Sequence, residues 1–339
     1  MAPQQAEARR TRNGVRDDEL KRQLTARRDK LRDAIPSQPH PASLHDLLRE
    51  VDAALERMED GSYGLCETCH DPIEHDRLIV DPLLRNCIDH LSHAEKESLQ
   101  RDLDLANQVQ SGLLPKPGRI APGWTMAFHY RPHGAVSGDF CDVIRLPDGG
   151  ALFVVGDVMG KGVAASMLTA HLHAIFRSLC TPDQPVNDLV AKANRIFCEG
   201  TMSSFFATLV AGRLGVDGAV EICNAGHCHP LHFRNGDVHR IESGGLPMGL
   251  FADAEYELHR GRLASGEGLV IHTDGLSETF DAGGAPYGSE RPINLLRQRR
   301  THSCDELLAD LLADLDQFRR AEAVRDDLTV MVLCRNGST

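Results

Sequence analysis

Apolar side chains follow a helical rhythm in the first third of the chain and strand-like runs in the remainder. Over 17–35, Leu20, Leu24, Leu31 and Ile35 keep helical spacing, interrupted by Arg27 and Arg28. The Pro-rich turn IPSQPHPA (35–42) breaks it. Leu44, Leu48, Val51, Leu55 and Met58 then alternate steps of four and three, a narrow helical seam. Two helices joined by a short turn predict an antiparallel hairpin over 1–60. Gly, Pro, Cys and His concentrate in 61–92. Helical spacing returns over 93–114 through Leu99, Leu103, Ala106 and Leu113, and LPKPGRIAPG (114–123) ends it. From about residue 120 the runs ALFVVGD, FFATLVAGRL, EGLVIHTDG and DDLTVMVLC read as strands, with helical stretches at 162–180 and 185–200. The pattern divides the chain into a hairpin (1–60), a small module (61–92), a linker helix (93–118) and a mixed domain (119–337) with its own core.

Composition narrows the function classes. Hydrophobic residues make up 41% of the 339, enough for a core, so a wholly disordered chain is excluded. Lys and Arg number 37 against 49 Asp and Glu, a net charge of −12. Residues 1–60 carry 12 of each sign, so the whole excess lies downstream. That balance argues against nucleic acid as a direct partner and fits a protein that holds divalent cations. No apolar run reaches the roughly 18 residues that span a bilayer, and the first residues lack a secretory apolar stretch. The expectation is a cytoplasmic protein, where close cysteine pairs point to metal or redox chemistry.

Cys66 and Cys69 form C-x2-C, and after 17 residues Cys87 and His90 form C-x2-H. Two such knuckles complete a tetrahedron of thiolate and imidazole donors, the set zinc prefers. Four ligands leave no open position, so one structural Zn is expected, supplying folding energy to a segment too short to bury a core. His70, His75 and His93 compete with His90 as fourth ligand, and a CxxC redox pair is the alternative reading. The remaining cysteines, Cys304 and Cys334 among them, show no ligand-like pairing and read as small buried residues.

The large domain carries its own acidic set. Asp139 lies in SGDF, Asp157 ends the apolar run FVVGD, Asp274 follows VIHT, and Asp326 and Asp327 precede LTVMV. Carboxylates at strand ends can converge on one edge, where hard oxygen donors bind two Mg or Mn ions that activate a water against phosphate. GDVMGKG lacks the spacing of a nucleotide phosphate loop. Lys161 and Arg131 are candidate phosphate contacts, with a solvated lysine as the plainer reading of the first. His227 in NAGH is either a proton donor or a hydrogen-bonded turn histidine.

Two resemblances follow from these motifs. Residues 60–91, with GSYGLCETC, PIEHDRL and the Asp-Pro before the second knuckle, resemble the DksA/TraR-type zinc finger, with His90 where that family usually has Cys. That resemblance implies RNA polymerase as a partner, although the tip at 36–43 has no carboxylate. Residues 106–335 resemble the metal-dependent (PPM, type 2C) serine/threonine protein phosphatases in their SpoIIE-type branch, through YRPHGAVSGDFCDV, FVVGDVMGKGVAASML, NAGHCHPL, GGLPMGL, HTDGLSE and DDLTVMVL. The resemblance implies an α+β fold, a β-sandwich flanked by helices with a binuclear site. It implies Asp157 as bridging ligand, joined by the Val158 carbonyl, with Asp274 and Asp326 on the first ion and Asp139 supporting the second.

The function this implies is hydrolysis of phosphoserine or phosphothreonine on a regulatory protein, a STAS-type anti-sigma-factor antagonist. The 93–113 helix stands where such phosphatases carry a regulatory helix, and the N-terminal helices are a candidate homodimer contact. The rival readings are a transcription-associated adaptor acting through the zinc finger and a redox or zinc sensor.

Overall fold

The computed structural model describes residues 20–33, 35–37, 42–91, 93–202, 204–234, 236–242, 244–298, 303–320 and 325–337. The start of the first expected helix (17–19) and half of the Pro-rich turn (38–41) lie outside them. The chain forms two compact units, 1–101 and 102–339. Among the described residues no helix is long and apolar enough to cross a membrane.

In the first unit, helix α1 (20–33) and helix α2 (Ala42–Asp60) share one apolar cluster. Leu24 and Leu31 are buried with Val51 and Leu55, positions of the helical pattern in the sequence, and with Ala54 beside them. Arg32 pairs with Asp52 at 3.5 Å. A short helix α3 (His75–Val80) and a 3-10 turn (Ile88–His90) follow around a second cluster that includes Ile73 and Leu78. Helix α4 (His93–Leu113) crosses the boundary between the units.

The second unit is built on two antiparallel sheets. One orders β1 (Gly118–Ala121), β2 (Trp124–Arg131), β11 (Leu328–Arg335), β10 (Gly268–His272), β7 (Leu231–Arg234) and β8 (Asp237–Arg240). The other orders β3 (Asp139–Arg145), β4 (Ala151–Val158), β5 (Ala207–Leu214), β6 (Ala219–Ala225) and β9 (His259–Arg262). Their inner faces bury Trp124, Phe153, Leu269, Ile271 and Leu333 in one cluster. Helices α5 (Val163–Leu179) and α6 (Val186–Gly200) cover the second sheet over Phe140, Phe176 and Phe197. The short helix α7 (Asp274–Ser277) follows β10. Helices α8 (Glu290–Gln298) and α9 (Cys304–Arg319) cover the first sheet over Ile293, Leu311 and Val332. The result is the expected sandwich with helical outer layers.

Two features depart from the sequence reading. Helices α8 and α9 were not anticipated there, although α9 buries Leu307, Leu308, Leu311 and Leu315 at helical spacing behind a Ser303–Glu306 capping box. Cys304 and Cys334 are not unpaired: packing of α9 on the end of β11 brings them together as a disulfide, with Cα atoms 5.9 Å apart. They are 30 residues apart, so only the tertiary contact reveals the pair.

A charged anchor joins α5 to β3. Asp142, 1% exposed, accepts hydrogen bonds from Arg177 Nε at 2.7 Å and Nη2 at 2.8 Å, and lies 3.2 Å from His173 Nδ1. Burial alone would raise its pKa, but the bonds from His173 and Arg177 outweigh burial and lower it. A folded-state pKa below the unfolded value gives stability that is present above about pH 4 and lost as pH falls. Asp142→Ala is expected to cost about 2–3 kcal/mol at pH 7, less than a wholly buried pair because Arg177 is half-exposed. Urea unfolding should show this difference shrinking below pH 4.

Candidate metal centres

Four strand ends meet at one edge of the sandwich. Asp139 at the start of β3 stands opposite Asp157 near the end of β4. From the other sheet, β10 ends at His272 and β11 begins at Leu328, tied where the Thr273 N–H donates to the Thr329 carbonyl at 3.0 Å. Asp274 opens α7 there, and Asp326 lies two residues before β11. The sheets are locked together at Asp139, whose Oδ2 accepts the hydroxyls of Thr273 at 2.8 Å and Thr329 at 2.7 Å.

The electrostatics are those of crowded carboxylates. Burial, then the charge of Asp157, pushes Asp139 well above the usual carboxylate range despite the two threonine donors. Burial, followed by Asp274, Asp326 and Asp327, raises Asp157 to about 7. Asp274 is raised by burial, then by Glu278 and Asp326. A cation acting on this group is Lys161, whose Nζ lies 2.8 Å from Asp326 Oδ1 and also donates to the Arg325 carbonyl at 3.0 Å. Lys161 is therefore ion-paired rather than simply solvated.

Oxygen donors also converge at Gly138. A Cβ there would lie 2.9 Å from the Val158 carbonyl oxygen, 3.0 Å from that of Gly160 and 3.2 Å from Asp157 Oδ1. Hard donors, mutual repulsion and this cradle together suit a divalent cation.

Further residues support the edge, and of Asp327, Gln110 and Gly275 only Gln110 was not singled out from sequence. Asp327 accepts the backbone N–H groups of His133 at 2.6 Å and Gly138 at 2.8 Å, fixing the loop before Asp139. Gln110 on α4 clamps the same loop, donating to the Ser137 carbonyl at 2.8 Å and accepting the Ser137 N–H at 3.0 Å. Gly275 lets α7 dock, because a Cβ there would meet the Asp327 carbonyl oxygen at 1.8 Å.

His227 has the turn geometry. Its N–H donates to Asn224 Oδ1, its carbonyl accepts from Asn224 Nδ2, and its Nδ1 lies 2.8 Å from Thr208 Oγ1. Burial, then the neighbouring His272, pushes it down to about 3, so it is neutral at pH 7 and not a cationic proton donor. Arg131 is not gathered with the aspartates. The charges that act on it are Arg319 and Asp316 of α9, because its place at the end of β2 turns it to the helix-covered side, as it does His129.

The first unit holds the second centre. Cys66, Cys69, Cys87 and His90 each offer a ligand atom, all within 4.8 Å of one another. Cys69 and Cys87 sulfurs are 3.8 Å apart, and Cys87 Sγ lies 3.2 Å from His90 Nδ1. Burial would raise the Cys66 thiol, but N–H groups of Cys87, Cys69 and Thr68 aimed at its sulfur outweigh it and hold the pKa below the ordinary range. Among the described residues no other group of three or more His, Cys, Asp or Glu side chains closes so tightly. The side chains of His75 and His93 lie outside the described set, and His70 is not in the quartet.

Comparison with known proteins agrees with this architecture. The family description Stage II sporulation protein E (SpoIIE) matches residues 147–336. Protein IcfG of Synechocystis sp. is 25% identical over 278 residues, covering 71% of this chain and 43% of IcfG. Phosphoserine phosphatase RsbP of Bacillus subtilis is 23% identical over 240 residues, covering 68% of this chain and 57% of RsbP. The chain thus spans about half the length of these two curated relatives. The SiaA-PP2C domain of Pseudomonas aeruginosa superposes with a TM-score of 0.61 at 19% identity, covering 70% of this chain and 97% of that domain.

Because Gly275 touches the Asp327 backbone, Gly275→Ala must displace α7 and with it Asp274. The expected loss is about 1–3 kcal/mol of stability, the range for overpacking, read as a lower urea midpoint at unchanged slope.

Proposed function

The chain belongs to the SpoIIE family, and on that premise we propose that it is a metal-dependent phosphoserine/phosphothreonine phosphatase. The observation that carries this reading is the convergence of Asp157, Asp274 and Asp326 at one sandwich edge, with Asp157 raised to about 7 by burial and its acidic neighbours. Asp157, the Val158 carbonyl, Asp274 and Asp326 would hold Mg or Mn, with Asp139 supporting them from the sheet junction. When bound, such ions polarise the phosphoryl oxygens and lower the pKa of water to make a nucleophile at neutral pH. The chain's own part is positional. Thr273 and Thr329 orient Asp139, Asp327 and Gln110 fix the loop that carries it, and Lys161 offers a positive charge at the mouth of the site.

The substrate of this reading is a phosphorylated STAS-type anti-sigma-factor antagonist. RsbP, named a phosphoserine phosphatase, supports the phosphoserine part of that reading. Helix α4 is the regulatory element, because its Gln110 grips the Ser137 backbone two residues before Asp139.

The Cys66–Cys69–Cys87–His90 quartet is the structural zinc site. Its 3.8 Å sulfur–sulfur distance matches the edge of a tetrahedron with Zn–S bonds of about 2.3 Å. The expected zinc content is one ion per chain, lost in Cys66→Ser with unfolding of the 61–92 module, as metal analysis and circular dichroism would record.

Manganese-dependent hydrolysis of a phosphoserine peptide tests the enzyme reading. Asp157→Asn is expected to lose on the order of 10³-fold in kcat while keeping its fold. Wild-type protein without metal-dependent turnover would overturn the proposal.

A further inference from the structure

Three loop segments lie side by side just past the end of β4. The Met159 N–H donates to the Phe206 carbonyl at 2.9 Å, and Ala207 and Met248 exchange both backbone hydrogen bonds at 2.9 and 2.8 Å. Met159, Phe206–Ala207 and Met248 therefore continue the β4–β5 pairing beyond the sheet. The side chains that the three loop segments present outward are large and apolar. Met159, Met202, Leu246, Leu250 and Phe251 are 44%, 66%, 50%, 42% and 63% exposed. Met159 sits two residues beyond Asp157 on the same strand edge, and the hydrogen bonds through Phe206 and Ala207 lead from it to Met248, which Leu246 and Leu250 flank at two residues on either side.

The exposure is built in. Asn194 on α6 is fully buried, and its side chain is spent on the backbone of this loop. Its Oδ1 accepts the Gly249 N–H at 2.8 Å, and its Nδ2 donates to the Phe251 carbonyl at 2.8 Å and the Ala252 carbonyl at 3.3 Å. Gly249 at φ +94° lets the loop approach the Phe205 carbonyl, where a Cβ would stand at 2.7 Å. A buried polar side chain thus holds in place a loop whose Leu250 and Phe251 remain in water. Exposed apolar patches of this kind mark interaction sites, and methionines let such a surface adapt to its partner.

We propose that this surface is the docking face for the phosphoprotein substrate, and that it selects phosphoserines flanked by apolar side chains. The occupant follows from continuity: a protein segment whose phosphoserine reaches Asp157 must lie across Met159, and its flanking residues meet Leu246, Leu250 and Phe251. The inference rests on the phosphatase reading above and adds its specificity.

The test uses the full chain with manganese and two 17-residue phosphoserine peptides, one with leucines around the phosphoserine and one with serines and glycines. p-Nitrophenyl phosphate is the small control. Wild type should show about tenfold higher kcat/KM and about tenfold tighter binding for the leucine peptide. In the Leu250→Ser/Phe251→Ser double variant that preference should fall to near one, with p-nitrophenyl phosphate turnover and thermal midpoint unchanged. Equal handling of both peptides by wild type overturns the docking face. So does a variant that keeps the preference, or one that turns a dimeric wild type into monomers without altering it, which would assign the surface to a second copy of this chain. Preferential binding of the leucine peptide with no hydrolysis of any probe would keep the face and sink the phosphatase reading instead.

Discussion

Carboxylates gathered at a poorly hydrated edge repel one another, and the large unit is organised around holding them there. Two such charges 4 Å apart repel by about 4 kcal/mol at an effective dielectric near 20. The fold meets this repulsion unevenly. Asp139 receives two threonine hydroxyls, Asp327 two backbone N–H groups, and Asp326 the ammonium of Lys161. Asp157 and Asp274 have less compensation, and burial together with the neighbouring carboxylates raises both, as burial and Asp157 raise Asp139. On the phosphatase reading, a cation would offset the repulsion that these donors leave uncompensated.

Strand register gives the frame its precision. Asp157 pairs with Asp139 on one side and with Thr208 on the other. A one-residue slip of β4 would turn Asp157 to the opposite face and bring Val158 in its place. The fully buried β10 and β11, and β4 buried at every position but Asp157, resist such a slip, because it would exchange packed apolar side chains on both faces. Thr208 then links Asp157's neighbourhood to His227, and Asn224 closes the NAGH turn behind it. That turn histidine thus acts as a brace, neutral and buried.

The sequence carried the sandwich and the acidic edge well, because apolar runs ending in Asp are local signals. Asp157 after FVVG and Asp274 after VIHT each announce a strand end without reference to the rest of the chain. The Cys66–His90 quartet was equally legible, since each knuckle is a short spacing. Partners that depend on tertiary packing were not. Gln110 meets Ser137, and Thr273 and Thr329 meet Asp139, across separations that no periodicity encodes. The Cys304–Cys334 pair is hidden for the same reason. Arg131 shows the converse error, a charged residue near a motif in sequence that strand alternation points the other way. Helix α9 was a different kind of miss, because its leucine spacing and capping box were both local.

The two centres divide their chemistry by donor type and by closure. The quartet gathers soft sulfur and imidazole within 4.8 Å, with backbone N–H groups supporting a thiolate. On the proposed reading, four donors around one zinc would leave no position for a reactant, and the ion would stabilise its module only. The aspartates offer hard oxygens spread over a wider space, half-open to solvent at Asp157 and Lys161. Open positions are what a reacting phosphate requires. The same physical difference explains the surroundings: the closed centre is wrapped by its own knuckles, whereas the open one is bordered by an apolar surface that remains exposed.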